Sequence, residues 1–126
     1  MGQQILEKQA DFFASNKTLD LNFRLQQLKK LYKALKDFED QIYSALNDDF
    51  KKSEFETYGT EIALIQKEIE YFLKQLPKLT RPEKVKSSIA SFPAKSYLYR
   101  EPFGLSLIIG PWNYPLHLVL LPLVGS

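Results

Sequence analysis

The sequence predicts an α-rich segment of an α/β protein. We expect an antiparallel helical hairpin, then a β-hairpin-like segment, then the first strand and partial helix of an unfinished parallel sheet. Apolar residues recur every three or four positions through residues 1–76, as in helices with one buried face. After residue 95 the pattern changes to the alternation and short apolar runs typical of strands. We therefore divide the chain into a helical region (1–76), a basic proline-containing connector (77–95) and a β segment with the start of a sheet domain (96–126).

The first long helix is expected from Leu21 to Leu46, as one apolar stripe of about seven turns. Asp20, or Thr18 just before it, is suited to cap its start. The short polar side chains of residues 47–49 compete for backbone hydrogen bonds and predict its end. A shorter helix is expected before it, with apolar residues at Ile5, Phe12 and Phe13.

The second long helix is expected to begin at Ser53. The stretch Ser53-Glu54-Phe55-Glu56 fits a capping box, in which the serine and the second glutamate satisfy each other's backbone N–H. The apolar stripe of this helix ends at Pro77, which is unsuited to continue a helix. Because a short connection joins the two long helices, we expect them to pack antiparallel.

The β segment begins with residues 96–100, which alternate and contain β-forming aromatics. Glu101–Gly104 fits a type I turn, and Leu105–Ile109 is expected to form a buried strand. Leu116–Val124 is expected to begin a buried helix, with Pro115 near its start. Because a single strand with two apolar faces is present, we expect this strand and helix to lack cover and to make the isolated chain self-associate, while residues 1–76 fold unaided.

Composition and charge exclude several classes of function. The formal net charge of +2 is too small to indicate nucleic acid as the main partner. The chain has no cysteine, so it contains no disulfide, thiolate metal site or thiol nucleophile. A single histidine, His117, excludes a histidine-based zinc site. No metal site is expected.

The location is expected to be cytoplasmic, because no basic stretch followed by an apolar run indicates a signal peptide. Residues 104–124 are long enough to span a membrane. Three prolines, together with Asn113 and His117, make this segment a poor spanning helix.

Residues 108–115 have the pattern of a strand end, a tight turn and a helix start, where α/β proteins bind ligands. Gly110 allows unusual backbone angles, and Pro111 and Pro115 stiffen both sides. The neutral side-chain amide of Asn113 can donate two hydrogen bonds, which suits an oxyanion site. Asparagine is also a common cap of a following helix, so both interpretations remain open.

Other candidate groups are expected to be structural. His117 has no evident carboxylate partner in the sequence, so we expect it to be packed or on a helix surface. Two acidic pairs suggest solvated helix faces, because close neighbours on a helix point in different directions: Glu68 with Glu70, and Asp48 with Asp49. The basic connector is expected to be a solvated loop.

Two stretches of the sequence are highly specific, Tyr99-Arg100-Glu101-Pro102-Phe103-Gly104 and Ile109-Gly110-Pro111-Trp112-Asn113-Tyr114-Pro115. With Phe23–Leu28 and Glu68–Tyr71 in the helices, they resemble the aldehyde dehydrogenase superfamily, closest to its class 3 branch for fatty or aromatic aldehydes. The resemblance implies the N-terminal part of a NAD(P)-dependent enzyme that oxidises aldehydes to carboxylic acids. It also makes residues 96–126 the start of an incomplete Rossmann-like cofactor-binding domain.

The resemblance assigns roles to individual residues. Asn113 matches the asparagine whose amide helps to hold the developing oxyanion of the aldehyde, and Tyr114 matches an aromatic position near the substrate tunnel. Residues 97–100 resemble part of a small sheet that mediates contacts in a homodimer. The loop beside the nicotinamide ribose and phosphates of NAD or NADP is matched by Ile109, Gly110, Pro111 and Trp112.

The resemblance also implies that essential parts lie outside this sequence. In the family, the cysteine nucleophile, the glutamate base and most of the cofactor site lie downstream of the matching region. We therefore expect this chain alone to be inactive and to bind no cofactor. The alternative is a non-catalytic helical interaction module whose hydrophobic tail docks on a partner or a membrane.

Overall fold

A computed structural model describes residues 2–126 of the chain. Within these residues lie six α-helices and one two-stranded antiparallel sheet. In chain order the elements are α1 (Gly2–Ala14), α2 (Leu21–Asp37), α3 (Glu39–Phe50), α4 (Glu54–Thr57), α5 (Ala63–Leu79), β1 (Glu83–Val85), β2 (Ser96–Leu98) and α6 (His117–Gly125). Short 3₁₀ turns lie at Lys17–Leu19 and Ile89–Ser91, and a π-helical turn (Tyr58–Ile62) joins α4 to α5. No helix in the described part is both long and apolar enough to cross a membrane.

The single helix predicted from Leu21 to Leu46 is two helices, α2 and α3, which meet at Phe38. Phe38 has φ −107° and ψ 11°, outside the helical range. The carboxylates of Glu39 and Asp40 lie in the first turn of α3, where they favour a new helix start. The apolar spacing continues across this break, so the sequence pattern conceals it.

The predicted helix starts are confirmed by hydrogen bonds. The Asp20 carboxylate accepts from the N–H of Asn22 at 2.7 Å and caps α2. The Ser53 hydroxyl accepts from the N–H of Glu56 at 3.2 Å and caps α4. The predicted short first helix is α1.

The predicted ends of the two long helices were wrong. Helix α3 continues through residues 47–49 until Lys51 adopts left-handed backbone angles, with φ 57°. Helix α5 continues through Pro77, which removes only one backbone donor close to the helix end. The last turn is held by Thr80, whose N–H and hydroxyl donate to the carbonyl oxygen of Leu76 at 3.0 and 2.9 Å.

The hydrophobic core lies between α2, α5 and α6. Leu35 from α2, Ile65 and Ile69 from α5, and Val124 from α6 are buried together. The expectation that residues 116–124 lack an internal partner was therefore wrong. The apolar side chains of α6 gain their burial by packing on α5 instead of on a neighbouring strand.

The two-stranded sheet pairs β2 with a segment of the connector. Glu83 lies opposite Leu98 and Val85 lies opposite Ser96. An ion pair between Arg100 and Glu83 at 2.7 Å adds to this pairing. The interpretation of residues 77–95 as a solvated loop was incomplete, because it left out strand β1. This strand is short and exposed, and it lacks the apolar pattern from which a strand is predicted.

Residues 105–109 have no regular secondary structure and pair with no other part of residues 2–126, so the predicted strand is not formed. Leu107 and Ile109 are 87% and 82% exposed. A strand needs a neighbour for its backbone hydrogen bonds, and no segment of residues 2–126 pairs with residues 105–109. The predicted turn at Glu101–Gly104 is a bend with Gly104 at φ 114°.

Candidate functional site

The candidate site is the segment between Ile109 and α6, which we call the 110–116 loop. Its central side chains face solvent. Trp112 is 83% exposed, and Asn113 is exposed as well. Within residues 2–126, the side-chain amide of Asn113 makes no hydrogen bond. Both of its N–H groups are therefore available to a ligand.

The start of α6 is capped by a residue distant in sequence. Glu61 Oε2 accepts from the N–H of Leu116 at 3.1 Å and from the N–H of His117 at 3.0 Å. These are first-turn N–H groups that have no partner within the helix. The negative charge also lies at the positive end of the helix dipole. Asn113 does not cap this helix, and that interpretation of Asn113 was wrong.

Glu61 also forms a buried ion pair with Lys52. Glu61 Oε1 lies 2.5 Å from Lys52 Nζ, and the two side chains are 0% and 9% exposed. Buried charges require partners for their remaining donors and acceptors. For Glu61 these partners are the N–H groups of Leu116 and His117, so both carboxylate oxygens accept hydrogen bonds.

Lys52 contacts the loop at Asn113 and Tyr114. Its Nζ donates to the backbone carbonyl oxygen of Asn113 at 3.3 Å. The same atom lies 4.4 Å from the centre of the Tyr114 ring, a cation–π distance. The Lys52–Glu61 pair therefore contacts the carbonyl of Asn113, the next ring and the following helix start.

The local fold explains how the pair is formed. Lys52 lies between the left-handed residue Lys51 and the Ser53 cap, so the chain reverses sharply at its position. Glu61 lies in the π-helical turn between α4 and α5. Such a turn inserts one residue into the helical repeat and often occurs at functional positions. Glu61 is thereby turned towards the start of α6.

Gly110 gives the loop its close approach to α6. A Cβ atom at position 110 would overlap the Cγ2 methyl of Val119 and contact the backbone of Leu118 at 3.5 Å. The φ of Gly110 lies outside the left-handed region, whereas Gly104 has a φ of 114°. Gly110 is thus required for its lack of a side chain, whereas the sequence suggested its freedom of backbone angles.

Sequence reasoning missed Lys52 and Glu61. A signal for Glu61 exists, because it lies three residues after Tyr58 and four before Ile65, on the apolar stripe of the second helix. A carboxylate on a buried face needs a partner, which predicts a buried charge pair. No comparable signal distinguishes Lys52 from its neighbour Lys51.

The other candidate groups lie apart from the loop or contribute their backbone. His117 is half-buried at the start of α6, and its backbone N–H is the group that bonds to Glu61. Glu70 accepts a hydrogen bond from the Tyr32 hydroxyl at 2.9 Å, which raises the pKa of Tyr32 above its ordinary value. Among residues 2–126, no cluster of three His, Cys, Asp or Glu side chains is arranged to hold a metal ion.

Comparison with known proteins gives several relatives of the chain. It is 44% identical over 115 residues to 4,4'-diaponeurosporen-aldehyde dehydrogenase of Staphylococcus aureus, a match that covers 91% of this chain and 25% of the relative. It is 39% identical to mouse aldehyde dehydrogenase family 3 member A2, covering 100% of this chain and 26% of the relative. The canine dimeric NADP-preferring aldehyde dehydrogenase is 36% identical, with 98% and 27% covered. The chain thus spans about a quarter of the length of these relatives.

A solved structure of substrate-bound S. aureus AldH superimposes on the chain with a TM-score of 0.96. The two are 42% identical, and the match covers 99% of this chain and 27% of that one. The predicted resemblance to the class 3 branch is confirmed by the family 3 relatives. The sequence profile of the aldehyde dehydrogenase family matches residues 3–125, and the chain belongs to that family.

Proposed function

We propose that this chain forms part of a NAD(P)-dependent enzyme that oxidises aldehydes to carboxylic acids, and that Asn113 is its oxyanion donor. The observation that carries the proposal is the state of Asn113. Its backbone carbonyl is held by a buried lysine, while its neutral side-chain amide is exposed and makes no hydrogen bond within residues 2–126. A preorganised donor of this kind stabilises negative charge that develops on an oxygen.

The amide acts when a nucleophile adds to the aldehyde carbon. Addition turns the carbonyl oxygen into an oxyanion, and the N–H groups of Asn113 donate to that oxygen as its charge develops. Because the amide N–H groups interact more strongly with the oxyanion than with the uncharged carbonyl, this contact lowers the barrier. The nucleophile must come from outside this sequence, because the chain has no cysteine.

Residues 109–112 fit one side of a nicotinamide dinucleotide. Ile109 and Trp112 offer exposed apolar side chains, suited to pack against the faces of the ribose and nicotinamide rings. No charged side chain follows Glu101, so this segment offers the phosphates backbone N–H groups and the indole N–H of Trp112 but no positive charge. The cofactor of the family accepts hydride from the substrate when bound. We expect the 126-residue chain alone to have neither measurable affinity for it nor dehydrogenase activity.

The test is Asn113→Ala in a full-length dehydrogenase that carries this sequence. We expect kcat to fall by roughly 10²–10³, as for loss of one oxyanion donor, with little change in KM. Asn113→Asp should be slower still, because it places a negative charge beside the oxyanion. Asn22→Ala is a matched control on the exposed face of α2. Wild-type turnover in Asn113→Ala would reject the role of Asn113.

We further propose that residues 97–100 contribute to a homodimer contact of the intact enzyme. The strand β2 is paired on one side only, and the side chains of Tyr97 and Tyr99 are exposed. Sedimentation of the full-length enzyme tests this proposal. A Tyr97→Lys/Tyr99→Lys variant should dissociate at concentrations where the wild type is dimeric, whereas Tyr71→Lys, on the exposed face of α5, should not.

The alternative of a non-catalytic interaction module is not favoured. The match to the dehydrogenase family covers residues 3–125. The expected docking tail is in addition packed on α5 through α6, with Val124 in the core. No separate function is needed to explain these apolar residues.

A further inference from the structure

We propose that Lys52 and Glu61 are positioning residues for the oxyanion donor. They fix the 110–116 loop so that the amide of Asn113 is held ready for the substrate oxygen. The catalytic part of this inference rests on the proposed function of Asn113. The structural part, that the pair orders the loop, stands on the contacts alone.

The first argument is the distribution of the contacts. Every side-chain hydrogen bond of Lys52 and Glu61 goes to the other member of the pair, to the loop or to the start of α6. Glu61 and Leu116 are separated by 55 residues, and Lys52 and Asn113 by 61. The pair is thus a long-range connection between the helical region and the loop. It contacts the chain at the carbonyl of Asn113 and at Tyr114, Leu116 and His117, which follow it.

The second argument is that burying this ion pair costs free energy. Removing two charges from water carries a desolvation penalty that their attraction and hydrogen bonds have to offset. Apolar side chains of similar volume would fill the same site at least as favourably. What apolar side chains cannot supply is the set of directed hydrogen bonds to Asn113, Leu116 and His117. The hydrogen bonds to the loop and to the start of α6 therefore explain the two buried charges better than a gain in stability does.

The third argument is that the loop has few other constraints. The side chains of Trp112 and Asn113 face solvent, and residues 105–109 before the loop pair with no other segment of residues 2–126. The contact of Gly110 with Val119 fixes one end of the loop. The orientation of residues 112–114 then depends on the contacts from Lys52 and Glu61. A displacement of about 1 Å at a donor can lower a rate by about 100-fold, so such constraints matter for turnover.

The test separates loop order from stability with the double variant Lys52→Met/Glu61→Leu. These side chains keep the volume and remove both charges. The matched control is Lys33→Met/Asp37→Leu, which removes an exposed lysine–carboxylate ion pair in α2 and introduces the same two apolar side chains. The single variant Lys52→Arg keeps the positive charge and a hydrogen-bond donor, and it is expected to retain most of the wild-type behaviour. Glu61→Gln is a milder variant that keeps one acceptor oxygen.

The first readout is ¹⁵N relaxation of the 126-residue chain. We expect the order parameters of Trp112, Asn113 and Tyr114 to fall from values near 0.85 to below about 0.6 in the double variant. The urea midpoint should be equal to or above that of the wild type. The control pair should leave residues 112–114 unchanged. Unchanged order parameters in the double variant would overturn the inference. If the double variant loses its helical circular dichroism, Glu61→Gln replaces it, and unchanged order parameters in that variant would have the same consequence.

The second readout is turnover by a full-length dehydrogenase that carries this sequence. The double variant should lower kcat by about 10- to 100-fold with little change in KM. The single variant Lys52→Arg should retain most of the wild-type kcat. Suppose that the double variant loosens the loop but that neither it nor Asn113→Ala changes kcat. The proposed function of Asn113 then fails, and the ordering role of Lys52 and Glu61 stands. If Asn113→Ala is slow and the double variant is not, the positioning role is rejected.

Discussion

Gly110 packs so closely against Val119 that a single added carbon atom at position 110 would overlap the Cγ2 methyl of Val119. This contact sets the distance between the 110–116 loop and the helix that follows it. Together with the bonds from Glu61 to the start of α6, it determines where the loop lies.

Gly110→Ala is therefore expected to destabilise the chain. The added methyl has to displace Val119 or the loop, which costs about 1–3 kcal/mol for overpacking. The free energy of unfolding from urea titration measures this loss. Gly59→Ala is the matched control, because nothing lies within 4 Å of a Cβ there and its backbone is helical. It should gain about 0.5–1 kcal/mol from the higher helix propensity of alanine. Equal stability of Gly110→Ala and wild type would contradict the close contact.

The Tyr43 hydroxyl is expected to ionise late in an alkaline titration. Its hydrogen bond to Glu39 at 2.6 Å is the largest cause, followed by removal from water and the negative charge of Glu39, and together they raise the pKa of Tyr43 to about 12. Because the folded chain favours the protonated phenol, this contribution to stability is complete below about pH 10 and is lost between pH 10 and about 12.

Phenolate absorbance at alkaline pH measures this step. Tyr43→Phe should remove the ionisation near pH 12, and Glu39→Gln should move it towards pH 10. Tyr97→Phe removes one phenolate while the late step stays in place. A wild-type titration that is complete near pH 10 would show that the Tyr43–Glu39 hydrogen bond is absent in solution.

Ser53→Ala should weaken the start of α4. The serine hydroxyl accepts from the N–H of Glu56, and its removal costs about 1 kcal/mol for a helix cap. The urea midpoint measures the change, with Ser44→Ala on the exposed face of α3 as the control. Because Ser53 follows Lys52 directly, a loss much larger than this would indicate that the cap also supports the buried ion pair.

The features that the sequence predicts correctly are local. The caps at Asp20 and Ser53 depend on residues within one turn of the helix, so their signals lie together in the chain. The motif at residues 109–115 identifies the family for the same reason. The candidate residue Asn113 is accordingly found in a loop before a helix, as its flanking prolines suggest.

The features that the sequence did not predict depend on distant partners or on the absence of a partner. The Lys52–Asn113 and Glu61–Leu116 contacts join residues more than 50 positions apart. Strand β1 is defined by its pairing with β2 and not by its own polar residues. Conversely, Leu105–Ile109 has the composition of a buried strand, but composition cannot supply the neighbouring strand that it needs.

The last prediction concerns self-association of the 126-residue chain. Docking of α6 on α5 removes one of the two apolar surfaces expected to drive it. Residues 105–109 remain, with Leu107 and Ile109 exposed and their backbone donors and acceptors unpaired with the rest of residues 2–126. An unpaired, exposed apolar segment with the composition of a strand is suited to pair with a second copy. We therefore expect the chain to self-associate through residues 105–109.

Light scattering of Leu107→Asp/Ile109→Asp tests this prediction. The charges should repel two approaching segments and give a monomer at concentrations where the wild type associates. Ile89→Asp is the control, because Ile89 is 95% exposed in the connector and should not affect association. A chain that ends at Leu76 should be less stable than expected from the helical region alone, since it loses Val124 from the core with Leu35, Ile65 and Ile69. A wild-type chain that stays monomeric would mean that residues 105–109 find cover within the molecule, and the unpaired segment would then not exist in solution.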